Sequence, residues 1–144
     1  MNKIKVLILF IQTILIFSCQ KGYEQKYNTF NEFSEENERN KGWFPKIIDT
    51  DATKLRNISY LDPLCAFGKF TYTNSETYDS IFSINQKISF DLLNDKVERN
   101  LNLRPDWFLD LRKINKSNVE IIKKEGFYIL RDKVDKNVYF ILSN

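Results

Sequence analysis

The side chains able to do chemistry in this chain are few and unevenly placed. There is no histidine among the 144 residues, and the only cysteines are Cys19 and Cys65. Without histidine the commonest general base and metal ligand at neutral pH is missing, and no Ser-His or Cys-His nucleophile can be assembled. The four scattered glycines build no phosphate-binding loop, and no zinc spacing is present. Carboxylates remain: Asp49 with Asp51, Asp62, Asp91 with Asp95, and Asp106 with Asp110. Two acids can run a hydrolysis or hold a hard cation. Asp49-Thr50-Asp51 opens a calcium-like spacing but lacks the glycine and the distal glutamate that complete such a loop. The acids therefore read as loop and cap residues, and no metal, cofactor or enzymatic activity is expected. Asp62, just ahead of Pro63, reads first as a turn residue. A small hydrolase would have to be built from Asp62 with Asp49 or Asp51.

The two thiols are different cases. Cys65, between Leu64 and Ala66, is expected to be a small core hydrophobe, with the nearest lysine, Lys69, on the far side of a strand. Cys19 stands at a seam. Asn2, Lys3 and Lys5 form a positive start, Ile4 to Phe17 is apolar except for Gln12 and Thr13, and after Cys19 the chain turns polar. That layout is a secretory signal. As a helix the apolar run would reach only about 21 Å at roughly 1.5 Å per residue, short of the roughly 30 Å hydrocarbon core of a bilayer.

Ile16, Ser18 and Cys19 resemble the processing site of bacterial lipoproteins: a branched aliphatic three before the cysteine, a small residue one before it. Phe17 departs from the smaller residue usual between them. The resemblance implies removal of residues 1–18 and a diacylglycerol in thioether linkage on Cys19. Each buried methylene contributes about 0.8 kcal/mol, so two or three acyl chains make the anchor effectively permanent. Gln20, Lys21 and Glu24 are similar to the signal that sends Bacteroidota lipoproteins to the outer face, and residue 20 is not the aspartate of inner-membrane retention. An outer-membrane lipoprotein on the periplasmic or surface-exposed face is what this implies.

Discounting the leader also changes the charge. The formal +3 includes Lys3 and Lys5, and the other 20 of the 22 basic residues nearly balance 19 acidic ones. A near-neutral domain carries no electrostatic footprint for nucleic acid. The expected partners are the membrane, through the lipid on Cys19, and a protein or cell-wall component.

The chain divides into a signal peptide over 1–18, a tether with a short helix over 19–41, and a single α+β domain over 42–144. Thr29-Phe30-Asn31-Glu32 is a capping box that predicts a helix over about 29–40, with Tyr27, Phe30 and Phe33 on one docking face and Gly42 ending it. Pro45 forbids an ordinary helix after that. "CAFGKFTYT", residues 65–73, alternates as a strand. Asn74-Ser75 caps a helix to about Ile84, with Tyr78, Ile81 and Phe82 on one face. Residues 87–93 fit a strand or a helix end equally well. Pro105 marks a turn at 104–106 that leaves Trp107, Phe108 and Leu111 on one buried face. Phe127–Arg131 and Val138–Leu142 form a terminal hairpin. The sum is a small antiparallel sheet with one or two packed helices and a C-terminal β-hairpin.

Within it, Gly42, Trp43, Pro45, Ala52, Thr53, Leu55, Leu61 and Asp62 resemble a family of small bacterial lipoproteins named for the YbbD head domain, over roughly residues 42–72. The resemblance makes Trp43, Pro45 and Asp62 candidate binding or structural residues. Asp49 and Asp51 stand where that family carries proline and serine, Ser59 where it carries histidine, and Pro63-Leu64 follow Asp62. It implies a fold rather than an activity. The functional expectation is a lipid-anchored, non-enzymatic binding protein of the envelope, with an immunity-type lipoprotein or a carboxylate hydrolase as alternatives.

Overall fold

The computed structural model describes residues 21–143. Six strands form one antiparallel sheet: β1 (Tyr23–Thr29), β2 (Thr53–Leu61), β3 (Leu64–Thr71), β4 (Val119–Lys124), β5 (Phe127–Asp132) and β6 (Asn137–Ser143). Their order across the sheet is β1-β2-β3-β6-β5-β4. Two three-stranded meanders are thus joined along a β3/β6 seam that runs from Cys65 opposite Ser143 to Thr71 opposite Asn137. Three helices, α1 (Phe30–Glu35), α2 (Ser75–Ile84) and α3 (Phe90–Arg99), lie in the connections. The class is α+β as expected, with three helices among the described residues instead of one or two.

The first correction falls on the tether. Residues 19–41 were to be a stalk with a helix, yet from Tyr23 the chain is already a strand of the sheet, paired from Tyr23 opposite Ser59 to Thr29 opposite Thr53. Gln25 is buried against β2 while Glu24 and Lys26 stay exposed. An edge strand with charges on its open side shows little of the apolar alternation that marks central strands. The domain therefore begins at residue 23, not 42. The signal peptide and Cys19 lie outside the described residues.

The capping box forms: Thr29 Oγ1 accepts from the Glu32 amide at 3.3 Å, and the Glu32 carboxylate accepts from the Asn28 amide at 2.7 Å. The helix nevertheless stops at Glu35. Asn37 takes a left-handed conformation at φ 54°, a 3-10 turn covers Glu38–Lys41, and Gly42, at φ 82°, closes it. α2 keeps its expected bounds, with the Asn74 side chain accepting from the amides of Glu76 and Thr77. The ambiguous stretch 87–93 is both things in turn. Lys87 bridges Ile122 beside the β4 edge, then Ser89 caps α3. The terminal hairpin has the expected register, Arg131 opposite Val138.

Both faces of the sheet are covered. On the first, Leu55, Phe70, Tyr72, Ile129, Val138 and Phe140 pack under Phe33 of α1, Phe44 and Ile48 of the loop, and Tyr78 and Phe82 of α2. On the second, Cys65, Phe67, Leu130 and Ile141 meet Leu93 and Val97 of α3 and then Leu103, Phe108 and Leu111. Each such side chain is stabilised by about 1.5–3 kcal/mol relative to exposure. Trp107, expected beside Phe108 and Leu111, packs partly buried against this second layer.

At the middle of the seam Gly68 faces Phe140. A Cβ on residue 68 would fall within the Phe140 ring, so the absence of a side chain there makes room for the aromatic. We expect Gly68→Ala to destabilise the fold by about 1–3 kcal/mol through overpacking. Chemical denaturation should also show that adding Phe140→Leu recovers part of that loss.

Candidate functional site

The residues that resembled a motif in the sequence lie on the loop 42–52 and along β2. Trp43 is partly buried against the first core, and Pro45 is buried with its carbonyl accepting from the Ile48 amide. Arg39, over the Phe30 ring at 5.5 Å, donates to the Ile48 carbonyl and so ties the loop to α1 and the 3-10 turn. Trp43 and Pro45 thus seat the loop on the sheet. Asp62 is exposed in the β2–β3 turn, where its peptide bond to Pro63 is cis.

Each of the two loop aspartates closes a turn. Asp49 accepts from the amide of Thr50, and its own amide donates to the Tyr78 hydroxyl at 3.3 Å. One oxygen of Asp51 accepts from the amides of Thr73 (2.7 Å) and Asn74 (2.5 Å) and from the Thr73 hydroxyl. Burial works to raise the Asp51 pKa, but these bonds outweigh it and the net shift is downward. All three donors act on that one oxygen, and the other, Oδ1, is buried and accepts no hydrogen bond from the described residues. Among the described residues, no three Cys, Asp or Glu side chains gather as a metal cluster.

Asp51 and Asp62 stand beyond opposite ends of β2. At roughly 3.3 Å per residue its nine residues separate them by about 30 Å, whereas the two acids of a glycosidase lie about 5–10 Å apart. The two-acid hydrolase site drawn from the sequence is therefore not assembled. Asp95 pairs with Arg99, and Asp110, held down to about 2 by Arg112, pairs with that residue; Asp91 lies in the first turn of α3.

Cys65 is fully buried on the second face, and burial pushes its thiol up to about 12, far from thiolate chemistry. Lys69 was expected on the far side of the strand. Period two instead puts residues 65, 67 and 69 on one face, and Lys69 reaches over the Trp107 ring at 5.9 Å. The four-residue spacing, about 13 Å, keeps it from activating the thiol.

The sequence reading missed two buried polar clusters. Arg131, on the first face in line with Phe127 and Ile129, donates to the Tyr72 hydroxyl (2.7 Å), Asp79 (2.6 Å), the Ser75 carbonyl and Glu120 (both 3.4 Å). Lys87 and Lys133 also approach Glu120, at 3.6 and 3.9 Å. Glu120, Lys87, Lys116, Phe90 and Ile88 line a cleft of about 240 Å³ on the β4 edge. The second cluster joins Glu38 to Gln25 of β1 and Asn57 of β2, all three buried. Glu38 accepts from Gln25 and from Lys41, and Gln25 accepts from Asn57. Burial, and then hydrogen bonding to the Glu38 carboxylate ahead of its charge, raises Tyr27 to about 12. An arginine where period two demands an apolar residue was the signal available for the first cluster. The second had none.

Residues 22–71 match the YbbD head domain. The chain thus carries a domain resembling that family, and the match opens some twenty residues before the motif at Gly42, taking in β1 and α1 and ending with β3. No curated protein and no solved structure matches the chain. Ser59, at the histidine position of the resemblance, is buried in the YbbD-head-like segment with its hydroxyl 3.5 Å from the Tyr23 carbonyl.

Three substitutions test these fastenings. Asp51→Asn should cost about 2 kcal/mol at pH 7, in the range of hydrogen bonds to a charged group. The folded pKa lies below the ordinary 3.8, so this contribution is present above that value and fades as pH falls through the folded one. Denaturation curves for the variant should consequently be flatter below pH 4. Arg131→Met should cost about 2–4 kcal/mol because Tyr72 loses its partner. Asp79→Asn, whose side chain is 63% exposed, should cost under about 1 kcal/mol.

Proposed function

We propose that the protein is a lipid-anchored component of the cell envelope, held in the outer membrane by acyl chains on Cys19, and that its domain is a non-enzymatic binding module. The observation that carries this reading is the seam itself: Lys3 and Lys5, an apolar run ending at Phe17, then Ser18-Cys19. A thiol is the ordinary side chain able to form a stable thioether with a lipid. The fold adds support from the other side, since β1 begins at Tyr23, leaving little slack for a stalk. Among the described residues no helix is long and apolar enough to cross a membrane.

Support for a binding role comes from how the polar side chains are used. Asp49, Asp51, Asp95, Asp110, Glu38 and Glu120 each take part in a turn, a latch or an ion pair. With helices and loops over both faces of the sheet, its rims and turns are the surfaces offered to a protein or cell-wall partner. On the resemblance given above, Gln20-Lys21 supports display on the outer face of that membrane, with the periplasmic face as the alternative.

The test is Cys19→Ala in cells grown with an alkyne fatty acid. The wild type should incorporate label and lose its leader, and the variant should do neither while keeping residues 1–18. Equal labelling of the two proteins would refute the assignment.

A further inference from the structure

The register of the sheet brings several segments to one end: the start of β1 (Tyr23 opposite Ser59), the Leu61–Leu64 turn, the last residues of β6 (Ser143 opposite Cys65) and the β4–β5 turn. The C-terminal end of α3 joins them, because Asn100 donates to Ser143 at 3.1 Å and the Leu103 carbonyl accepts from the Tyr60 hydroxyl at 3.1 Å. Four of the large apolar side chains left in solvent belong to this rim: Leu61, 82% exposed, Tyr23, 65%, Leu101, 46%, and Leu64, 42%. Single exposed leucines are ordinary, but a group at one end of a sheet is not. The turn is unusual in itself, since Leu61 and Leu64 flank Asp62-Pro63 where polar residues normally stand. At the other end, exposed Val134 sits in a turn with Lys133, Asp135 and Lys136.

Chain length says what meets this rim. Tyr23 is four residues after Cys19, a span of at most about 14 Å at roughly 3.3–3.6 Å per residue. Resting on the acylation of Cys19 proposed above, we infer that the rim of Tyr23, Leu61, Leu64 and Leu101 seats into the headgroup layer of the anchoring leaflet. The lipid on Cys19 holds this end, and not the Val134 end, within reach of the bilayer. Tethering also makes the contact intramolecular, so a few apolar side chains suffice. Tyrosine suits the boundary, with an apolar ring and a hydroxyl for the wet side. Charges here are mixed, Lys21 and Lys124 against Asp62 and Glu125, so apolar contact carries the seating. The domain then stands with β1 and the β2–β3 turn at the membrane and the β5–β6 turn, with the Asp51 latch, presented outward.

The experiment uses the full acylated chain in liposomes of phosphatidylethanolamine and phosphatidylglycerol, carrying an environment-sensitive fluorophore (NBD) at Leu61→Cys or at Val134→Cys. Both positions are exposed, so folding is not at issue, and buried Cys65 takes no label. Mass spectrometry of the N-terminal lipopeptide and flotation of the protein establish the anchor first. The label at residue 61 should shift to the blue and be quenched by nitroxide lipids at least twofold more than the label at residue 134. Equal quenching of the two labels in protein that floats and bears the lipopeptide overturns this inference and leaves the anchor standing. A residue-61 label shielded from nitroxide lipids but crosslinking to a second copy or another protein overturns it as well. Absence of the lipopeptide sinks the anchor and the seating together.

Discussion

The fold turns on one contact, the Phe140 ring lying over Gly68 across the β3/β6 seam. Among the described residues the seam is the one strand pairing between the two meanders, and the ring that fills it reaches both. Phe140 meets Phe127 of β5 at 5.8 Å and Phe44 of the loop at 5.8 Å. Phe44 meets Phe33 of α1 at 5.0 Å, and Phe33 meets Tyr27 of β1 at 5.8 Å. A line of aromatic rings thus crosses the first face from β5 to the β1 edge. Three of these four contacts are edge-to-face and the Phe44–Phe140 one is tilted, and aromatic pairs contribute about 0.5–1.5 kcal/mol each beyond the area they bury. α1 and the loop 42–52 pack onto that line, which is why they hold their places with little regular structure of their own.

Polar fastenings work around this apolar line. Arg131 brings a guanidinium into the first face, and its cost in lost hydration is met by hydrogen bonds to a hydroxyl, a carbonyl and two carboxylates. It also lies over the Tyr72 and Phe82 rings, at 5.1 and 5.8 Å. Its effect is directional. Apolar burial would let α2 slide on the sheet, whereas bonds to Ser75 and Asp79 fix the register of the helix. Asp51 does the same for the loop, and Glu38 for the β1 edge. The price in foldedness of one lost polar partner is largest where the remaining partner cannot reach water, as for Tyr72.

Elements whose signal is local were legible from sequence. Thr29 and Asn74 as caps, the α2 bounds and the hairpin register all depend on side chains acting within a few residues of themselves. β2 was not legible, because its inward positions include Asn57 and Ser59, which turn to Gln25 and to the Tyr23 carbonyl of β1 in place of building an apolar stripe. β1 hid for the same reason. Glu38 reads as a surface acid until β1 is known to lie over it, and Arg131 as an interruption until Tyr72, 59 residues away, is brought against it. Trp43, Pro45 and Asp62 were picked out by motif alone, and the fold gives the first two a packing role that the motif did not state.

The same logic bears on where the YbbD-head-like segment ends. The match closes at Thr71, yet β3 is not an edge: all its residues from Cys65 to Thr71 pair with β6. Phe70 and Tyr72 are buried by α2 and by β6 residues that lie beyond the match. Cut at residue 71, the matched segment would expose an unpaired, apolar strand and half of the aromatic line, the condition that favours association over folding. In this chain the family resemblance therefore marks one meander of a six-stranded sheet, and the second meander is what makes the first one stable.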